Sequence, residues 1–421
     1  MDVCVIGLGY VGLPTAATLA SHGHKVLGVD IRESVLDQIR RRGGPSDEPE
    51  LSRLVGEVLS DGSLGLAIAP EVSDAFVLCL PTPIKEDKTA DLSFVRDGMS
   101  SIIPFLKKGD LVILESTVPP GTTEGLLAEM VRDKGFDPLE DVDLVFAPER
   151  VMPGSILKEL EGLDRVIGGL TPKAAERGRD LYASFVKGEI VLTDATTAEF
   201  VKLVENSYRD VNIAFANELA ILAEKMNVNV WDAIAIANRH PRVTIHHPGP
   251  GVGGHCIAVD PYFLIEKAEG EARMLAQARQ VNDSMPDRVV KRVEDLLGAL
   301  EGRRVAILGV AYKGDVADPR ESPALSIIEL LAERGAAWKA HDPHVIDSPV
   351  PLLSLEEALA GAEIVILVTN HSAFIQLDPR AVGEKVASKV ILDTRHVLDR
   401  TEWEEAGWRV LHVGDGKRLA K

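Results

Sequence analysis

The chain has 421 residues, of which 45% are hydrophobic and 26% are charged. This composition is typical of a folded globular protein, and the length exceeds what one hydrophobic core usually serves, so we expect two or three domains. The formal charge of −19 argues against a nucleic acid or an anionic membrane surface as a partner.

The three cysteines, Cys4, Cys79 and Cys256, are too few for a disulfide framework and indicate a reducing compartment. The N-terminus enters an apolar, strand-like segment directly, without the regions of a signal peptide. No apolar stretch reaches the ~20 residues that a membrane span needs. We therefore expect a cytoplasmic protein with no membrane partner.

The N-terminal part of the chain alternates short apolar segments with helical patterns. The segments VCVIG, KVLGVD, AFVLCL, LVILEST and DLVFAPE are predicted strands. Such alternation predicts a doubly wound parallel sheet. We assign residues 1–195 to this first domain.

The first predicted strand leads into a G-x-G-x-x-G turn at Gly7, Gly9 and Gly12, and Asp30 ends the second strand. The glycines allow a tight turn and a close approach to a pyrophosphate, which the N-terminus of the next helix attracts. Asp30 would accept hydrogen bonds from ribose hydroxyls and repel a 2′-phosphate, which predicts NAD as the cofactor. Arg32 could instead neutralise a 2′-phosphate, so NADP is the alternative.

Polar side chains follow three later strands of this domain. Thr82 and the pair Ser116 and Thr117 lie just past strand ends, where ligands collect in such sheets, although turn formation would explain them equally well. Glu149 and Arg150 follow the last predicted strand. Glu149 could act as a base for water or simply cap the turn.

A different pattern begins at Thr196, where about forty residues contain no Gly or Pro and predict one or two long helices. On an ideal helix Lys202, Asn206 and Arg209 share one face, opposite to an apolar face. A solvated stripe is one interpretation, and stabilisation of an oxyanion by Lys202 and Asn206 is the other. We assign residues 196–300 to a helical domain that pairs subunits, giving a homodimer or a larger homo-oligomer.

The loop GPGVGGHCIAVDP carries Cys256, with Asp260 four residues later. Glycines allow close approach of a ligand, and a cysteine beside a helix N-terminus can form a thiolate nucleophile. If these residues form a helical turn, the carboxylate lies on the same face as the sulfur. A metal site formed by His246, His247, His255 and Cys256 is the alternative, but it lacks regular ligand spacing, so we expect no metal.

Strand and helix patterns alternate again from Arg303, with RRVAILGV, AAWKAHD, AEIVILVTN and KVILDT as strands. Residues 301–421 therefore predict a second doubly wound sheet, related to the first as a distant internal repeat in which Asp342 takes the place of Asp30. Its first turn lacks a full G-x-G-x-x-G, which disfavours ordinary dinucleotide binding. Lys313 and Arg320 beside this turn could bind phosphate or ribose groups.

Seven segments together resemble the UDP-glucose/GDP-mannose dehydrogenase family over almost the entire chain. They are GLGYVGLP, LPTP, ESTVPPGTT, FAPER, KLVENSYRDVNIAFANE, GPGVGGHCIAVDP and AYKGDVADPRESP. Within the family, HPRV followed by GPGVGGHCIAVDPYF resembles enzymes that act on UDP-N-acetyl-mannosamine and related 2-acetamido sugars. The glucose enzymes more often carry a Lys where this chain has Val259.

The resemblance implies a four-electron oxidation of the sugar's primary alcohol to a carboxylate by two NAD molecules in succession, as in polysaccharide biosynthesis. It implies that Cys256 forms a thiohemiacetal and then a thioester, which water hydrolyses. Lys202 and Asn206 would stabilise oxyanions and Asp260 would support proton transfer. Glu149 or Thr117 would position the water.

The resemblance also implies the ligand-binding residues. The cofactor side would comprise Gly7, Gly9, Tyr10, Val11, Gly12, Asp30, Arg32, Thr82, Thr117 and Arg320. The UDP-sugar side would comprise Arg150, Val151, Met152, Pro153, Gly154, Lys202, Asn206, Arg209, His240, Arg242, Gly253, Tyr312 and Lys313, with Arg242 reaching from the neighbouring subunit.

Three other functions remain open from the sequence. A related nucleotide sugar such as UDP-N-acetyl-glucosamine, UDP-N-acetyl-galactosamine, UDP-glucose or GDP-mannose could be the substrate. A two-electron hydroxyacid dehydrogenase would share the fold and need no cysteine. A non-catalytic protein that binds a nucleotide sugar would bind without turnover.

Overall fold

A computed structural model describes residues 1–44, 48–151 and 154–416. The chain forms two compact units. The first comprises Met1–Glu205 and Tyr262–Gly270, and the second comprises Asn206–Pro261 and Glu271–Lys421. Each unit contains one mainly parallel sheet covered by helices, which confirms the predicted α/β class.

Eight strands form the sheet of the first unit. They are β1 (Asp2–Ile6), β2 (Lys25–Val29), β3 (Leu64–Ala67), β4 (Ala75–Leu78), β5 (Leu111–Leu114), β6 (Asp143–Phe146), β7 (Arg165–Gly169) and β8 (Ile190–Asp194). Their order is β3-β2-β1-β4-β5-β6-β7-β8, and β6 with β7 is the one antiparallel pair of this sheet in the described residues. The five predicted strands are confirmed, and β3, β7 and β8 are additional.

The helices of the first unit connect these strands. They are α1 (Gly12–Ser21), α2 (Glu33–Arg42), α3 (Pro49–Ser60), α4 (Ser93–Ile102), α5 (Ala128–Asp133), α6 (Ile156–Gly162) and α7 (Pro172–Tyr182), with a 3-10 turn at Ile103–Phe105 and a π-helical turn at Thr123–Leu127. Both faces of the sheet are buried: Val3 and Val5 of β1 pack into one core, and Cys4 and Ile6 pack into the other. This explains why the strands are continuously apolar.

The middle of the chain is largely helical, and for the segment that begins at Thr196 the absence of Gly and Pro predicted this. Its helices are α8 (Ala195–Met226), α9 (Val230–Ala237), α10 (Asp260–Lys267) and α11 (Arg273–Leu297). The 32-residue helix α8 is the predicted long central helix. No helix among the described residues is long and apolar enough to cross a membrane.

The second unit has a five-stranded sheet in which all neighbouring strands are parallel. Its strands are β9 (Arg304–Leu308), β10 (Ala337–His341), β11 (Ile364–Leu367), β12 (Val390–Asp393) and β13 (Arg409–His412), in the order β10-β9-β11-β12-β13. Its helices are α12 (Pro323–Glu333), α13 (Leu355–Leu359), α14 (Ser372–Ile375), α15 (Pro379–Gly383) and α16 (Arg400–Glu405). Only β13 was not predicted.

The two sheets repeat one arrangement, since β2-β1-β4 in the first corresponds to β10-β9-β11 in the second. Asp30 follows β2 and Asp342 follows β10, as the internal repeat predicted. Asp342 is buried and accepts hydrogen bonds from five donors. These are the backbone N–H groups of Val310 (2.7 Å), Ala311 (2.9 Å), His344 (2.9 Å) and Val345 (3.0 Å) and the Nε2 of His371 (3.0 Å).

The charge of Asp342 therefore holds together the turns at the carboxyl ends of β9 and β10. Burial opposes ionisation, but the hydrogen bonds from His371 and from the backbone keep the pKa of Asp342 well below its ordinary value. A carboxylate has about four lone-pair sites, and five donors occupy them. The position that could accept a ribose hydroxyl in this sheet is thus filled by the protein itself.

We expect Asp342→Asn to lower the free energy of unfolding at pH 7 by about 3 to 5 kcal/mol, because an amide cannot accept all five hydrogen bonds. Since the folded pKa is depressed, the carboxylate stabilises the protein above its unfolded pKa of about 3.9, and this contribution is lost as the pH falls toward the folded pKa. Urea unfolding at pH 7 and pH 3 measures this. The difference in the free energy of unfolding between wild type and Asp342→Asn should be smaller at pH 3 than at pH 7. The control Asp347→Asn, at an exposed carboxylate, should change the free energy of unfolding little. An equal difference at both pH values would contradict the stabilising role of the ionised Asp342 carboxylate.

Candidate active site

The G-x-G-x-x-G turn has the geometry that a dinucleotide needs. Gly7 has φ +90°, and a Cβ there would lie 2.3 Å from the carbonyl oxygen of Cys79. A Cβ on Gly12 would lie 1.8 Å from the carbonyl oxygen of Gly7, so helix and turn can pack only without side chains. A Cβ on exposed Gly9 would meet nothing within 4 Å, so this side of the turn is open to a ligand.

Asp30 lies at the carboxyl end of β2, beside this turn. One carboxylate oxygen accepts from the Leu8 N–H at 3.2 Å, and the other accepts from the N–H and Nε of Arg32 at 3.0 and 3.3 Å. Compared with Asp342, fewer donors occupy this carboxylate, so it retains capacity to accept from a ligand. The Arg32 side chain is 66% exposed and pairs with Asp30.

The predicted residues beyond β4 and β5 bind one another. The Thr82 hydroxyl donates to the Thr117 carbonyl at 2.6 Å, and the Ser116 hydroxyl accepts from the Leu80 N–H at 2.8 Å. These bonds hold the carboxyl ends of the two strands together. They are bonds between neighbouring strand ends and not within a turn, so the turn-forming and the ligand-binding interpretations of Thr82, Ser116 and Thr117 both stay predictions.

Sequence reasoning missed the buried carboxylate of Glu115, at the end of β5. It accepts hydrogen bonds from the Thr15 hydroxyl (3.0 Å), the Cys79 thiol (3.1 Å), Arg165 (3.0 Å) and the Tyr182 hydroxyl (2.6 Å). Burial first, and then the negative charge of Glu115, raise the pKa of Cys79 well above its ordinary value. Cys79 is therefore held as a thiol and is a poor nucleophile. A charged residue ending an otherwise apolar strand was the available signal.

Glu149 and Lys202 meet within the first unit. The buried Lys202 ammonium donates to the backbone carbonyl of Glu149 at 2.5 Å. Burial raises the pKa of the Glu149 carboxyl, and the charge of Lys202 opposes this shift. A carboxylate with a raised pKa is better suited to accept a proton near neutral pH than an ordinary one.

The following segment is partly occupied by contacts within the protein. Arg150 binds the carboxylate of Glu205 on α8 through two nitrogens, at 3.1 and 2.5 Å, and donates to the Asp164 carbonyl at 2.9 Å. The Val151 N–H donates to the Glu149 carboxylate, and the Gly154 N–H donates to Glu48 at 2.5 Å. The predicted residues Met152 and Pro153 lie outside the described residues.

Cys256 and Asp260 lie on one turn in the second unit. The Asp260 N–H donates to the Cys256 carbonyl at 2.8 Å, which closes a helical turn ahead of α10. The Asp260 carboxylate is buried and accepts from the Asn206 amide at 2.6 Å. Cys256 is partly exposed. The structure thus contains the helical turn expected between Cys256 and Asp260, and it adds the contact between Asp260 and Asn206.

Polar groups of the second unit surround this turn. Arg320 forms a two-nitrogen pair with Asp318 and lies 3.3 Å from His255 Nδ1. Burial is the main cause of the raised pKa of Tyr312, and the charges of Asp318 and Cys256 add to it, while Arg320 and Arg209 oppose it. The charges of Asp318, Cys256, Arg320 and Arg209 therefore all act on Tyr312.

The remaining predicted sugar-binding residues are described mainly by their exposure and by the space around them. Gly253 leaves no room for a side chain, since a Cβ would lie 2.5 Å from the Glu321 carbonyl oxygen. Lys313 is partly buried. His240 and Arg242 are exposed after α9, where the Arg242 N–H donates to His240 Nδ1 at 3.3 Å.

One group of metal-ligand type occurs in the described residues, and it differs from the alternative weighed above. Asp315, His344 and His371 place ligand atoms within 4.8 Å of one another. Both ring nitrogens of His371 are already engaged, Nε2 with Asp342 at 3.0 Å and Nδ1 with the Asp315 N–H at 2.9 Å. This group is therefore explained by the hydrogen bonds that hold the turns of the second sheet.

Comparison with known proteins gives a match along the chain. Residues 1–186 match the NAD-binding domain of the UDP-glucose/GDP-mannose dehydrogenase family, residues 196–284 match its central domain, and residues 306–400 match its UDP-binding domain.

Individual relatives agree with this match. The chain is 46% identical to a UDP-N-acetyl-D-mannosamine dehydrogenase of Methanocaldococcus jannaschii, over 99% of this chain and 97% of that protein. It is 43% identical to an NDP-N-acetyl-D-galactosaminuronic acid dehydrogenase of Ralstonia solanacearum, over 93% of this chain and 95% of that one. The solved structure of a UDP-D-ManNAc dehydrogenase from Pyrococcus horikoshii superposes with a TM-score of 0.92 at 40% identity, covering 99% of this chain and 100% of that one.

We expect Asp30→Ala to weaken NAD binding by about tenfold and to reduce the preference for NAD over NADP, because the variant loses the acceptor for the ribose and the repulsion of a 2′-phosphate. Titration of each cofactor by calorimetry measures both effects. Asp61→Ala, at an exposed carboxylate of the same unit, is the control and should bind NAD like wild type. Unchanged affinity and preference in Asp30→Ala would contradict the role of Asp30.

Proposed function

Because this chain belongs to the UDP-glucose/GDP-mannose dehydrogenase family and is a nucleotide-sugar dehydrogenase that uses NAD, we propose that it oxidises the C6 primary alcohol of a UDP-2-acetamido sugar to the uronic acid. UDP-N-acetyl-D-mannosamine is the proposed substrate. The observation that carries the proposal is the turn of Cys256 and Asp260 bound to Asn206. The acetamido sugars named for the relatives support the choice of sugar.

In the proposed reaction Cys256 acts after the first oxidation. NAD, held by the glycine turn and Asp30 and bound twice in succession, would supply the hydride acceptor for both oxidations, at the alcohol carbon first and at the thiohemiacetal carbon second. Between these oxidations the Cys256 sulfur bonds to the aldehyde carbon, and the carbonyl oxygen takes up a proton to give the thiohemiacetal. The second oxidation gives a thioester, and water then adds to it and releases the carboxylate and the free thiol. The covalent bond prevents the aldehyde from escaping between oxidations.

Four side chains would stabilise charge and transfer protons in these steps. Lys202 and Asn206 would stabilise the negative oxygen that develops when sulfur or water adds to the carbon. Asp260, which accepts from Asn206 at 2.6 Å, would support proton transfer. Glu149, whose pKa is raised by burial, would act as the base for water, with Thr117 as the alternative positioning group.

The ligand-binding roles are assigned by resemblance to the family. Arg320 and the residues of the glycine turn would hold NAD, and Arg150, Arg209, Tyr312 and Lys313 would hold the UDP sugar together with the other residues predicted above. The electrostatic coupling of Tyr312 with Cys256 and Arg209 supports this assignment. The small number of cysteines supports a reducing compartment such as the cytoplasm.

We expect wild-type protein to form two NADH per UDP-N-acetyl-mannosamine consumed and Cys256→Ala to lose turnover by a factor of about 1,000 or more, because the thioester cannot form. The same NADH assay with UDP-N-acetyl-glucosamine, UDP-N-acetyl-galactosamine, UDP-glucose and GDP-mannose ranks the sugars by kcat/KM. The acetamido sugars should rank first.

Cys4→Ala is the matched control because Cys4 is a buried cysteine in β1 with its pKa raised to about 11, mainly by burial. This variant should retain two NADH per sugar. One NADH per sugar that is unaffected by Cys256→Ala would contradict the covalent scheme. A preference for UDP-glucose would contradict the choice of sugar.

We also propose that the chain forms homodimers through α8. This helix carries an exposed apolar stripe at three- and four-residue spacings, which water disfavours and a second copy would cover. Its exposed members are Phe200, Val204, Tyr208, Phe215, Leu222 and Met226.

We expect Phe215→Asp combined with Leu222→Asp to shift the protein toward the monomer, because two carboxylates would be buried in the proposed interface. Sedimentation velocity over a concentration series measures the shift. Ile346→Asp is the control, since Ile346 is 88% exposed but lies outside α8. Dimers of unchanged stability in the double variant, or a monomeric wild type, would contradict the proposal.

A further inference from the structure

A chain of buried hydrogen bonds in the second unit leads from Asp210 to the loop that carries Cys256. The Asn282 amide donates to the Asp210 carboxylate at 2.8 Å and to the Asp210 carbonyl at 3.1 Å. The Asn217 amide donates to Asn282 Oδ1 at 2.9 Å, and Asn217 Oδ1 accepts from the Gly249 N–H at 2.8 Å. Asp210, Asn217 and Asn282 are each at most 1% exposed. We refer to these three side chains as the relay.

The direction of the relay is fixed by its charged end. The carboxylate and the carbonyl of Asp210 can only accept, so Asn282 must direct its NH₂ group toward them. Asn282 Oδ1 then faces Asn217, which must present its own NH₂ group in turn. Asn217 Oδ1 is therefore the atom that faces Gly249. A reversal of either amide would leave two donors or two acceptors in contact inside the unit, which is costly.

The segment beyond Gly249 has little space in which to move. A Cβ on Gly251, which has φ +130°, would lie 3.3 Å from Pro323 and 3.4 Å from the Asn282 carbonyl oxygen. A Cβ on Gly254, which has φ +83°, would lie 2.8 Å from the ring of Tyr312. The Gly254 N–H also donates to the Arg320 carbonyl at 3.1 Å. Because the loop is closely packed, a displacement at Gly249 would also shift the residues that follow it.

The loop is also held at its far end. The turn between Cys256 and Asp260 is closed by a backbone hydrogen bond, and Asp260 accepts from Asn206. Asp210 and Asn217, like Asn206, belong to α8, and Asn282 belongs to α11. The loop is thus bound to α8 both before and after Cys256.

We infer that Asn217 and Asn282 are positioning residues that set the place of Cys256 through the backbone of Gly249. The inference rests on the proposed nucleophilic role of Cys256. The relay touches neither substrate nor cofactor in this assignment. Asp210 fixes the direction of the hydrogen bonds in the relay, and this direction selects one position of the loop. A misplacement of a reacting group by about 1 Å can lower a rate by about a hundredfold.

The first test is Asn282→Asp, which places a second carboxylate against Asp210 and removes the donor. We expect kcat to fall by about tenfold to a hundredfold, with a smaller change in KM, because binding groups elsewhere are intact. The rate at which iodoacetamide labels Cys256 at fixed pH, followed by peptide mass spectrometry, should change as well. Labelling needs no turnover, so it reports the thiol even if the proposed reaction is wrong.

The second test is rescue. In the double variant Asp210→Asn with Asn282→Asp, the amide and the carboxylate exchange places, and the net charge of the pair is kept. The Asp210 carbonyl loses its donor, and Arg279, which donates to the Asp210 carboxylate at 2.6 Å, then faces an amide oxygen. The exchange therefore restores only the bond between the two side chains. We expect this variant to regain part of the kcat that Asn282→Asp loses and to shift the labelling rate back toward that of wild type. Failure of rescue, with kcat at or below that of the single variant, would overturn the inference.

Asn217→Ala is a further test in case the carboxylate variants fail to fold. It leaves the Asp210 and Asn282 pair intact and removes the hydrogen bonds from Asn217 to Asn282 and to Gly249. It should show the same loss of kcat and altered labelling. Val293→Ala, which removes buried methyl groups from α11 outside the relay, is the control for stability alone. It should lower the melting temperature while labelling and kcat stay near wild type.

The outcomes separate the inference from the function on which it rests. If Asn217→Ala leaves labelling and kcat unchanged, or if Val293→Ala alters them equally, the relay has only a stabilising role and the inference fails. If Cys256→Ala retains full turnover, the proposed function fails, whatever the labelling of the relay variants shows.

Discussion

A parallel sheet that is buried on both faces leaves the carboxyl ends of its strands as the place where polar side chains can meet a ligand. Both sheets of this protein obey this constraint. In the first unit Asp30, Thr117 and Glu149 follow strand ends, and none lies on a sheet face. The apolar strands therefore determine where chemistry can occur, and the loops determine which chemistry it is.

Buried polar groups then fix those loops. Glu115 gathers donors from three other elements in the first unit, and Asp342 gathers five donors in the second. Each carboxylate is fully supplied with donors, which offsets the cost of its burial. The relay from Asp210 applies the same principle to the loop of Cys256. Rigid support of this kind matters for any reacting group, because a displacement of about 1 Å can lower a rate by about a hundredfold.

The sequence was sufficient to predict most of the strands, the glycine turn, Asp30, and the grouping of Cys256 with Asp260, because these depend on local pattern and spacing. It was insufficient for β7, which is fully buried but contains an arginine and two glycines, and for β8, which is largely exposed. The partners of Glu115 also escaped prediction. They lie between 36 and 100 residues away along the chain, and such contacts depend on the packing of whole elements.

The partner of Arg150 also could not be predicted from the sequence, because it too is far away along the chain. Sequence placed Arg150 correctly after β6, but its pairing with Glu205 connects positions 55 residues apart. A motif identifies the residue type that a site needs, whereas the neighbours that compete for that residue emerge only in three dimensions. The sugar-binding role of Arg150 thus remains a proposal, alongside its structural role.

The saturation of Asp342 has a consequence for the order of events in catalysis. With its lone pairs taken by the protein, this carboxylate cannot hold the ribose of a second dinucleotide, so the repeat offers no duplicate of the place beside Asp30. A four-electron oxidation would then require spent cofactor to leave and fresh cofactor to enter at a single turn, partway through each cycle. The half-oxidised sugar would have to stay bound during that exchange. Its residence time on the protein, more than the rate of either hydride transfer, would then determine the fraction of sugar that is converted to the acid.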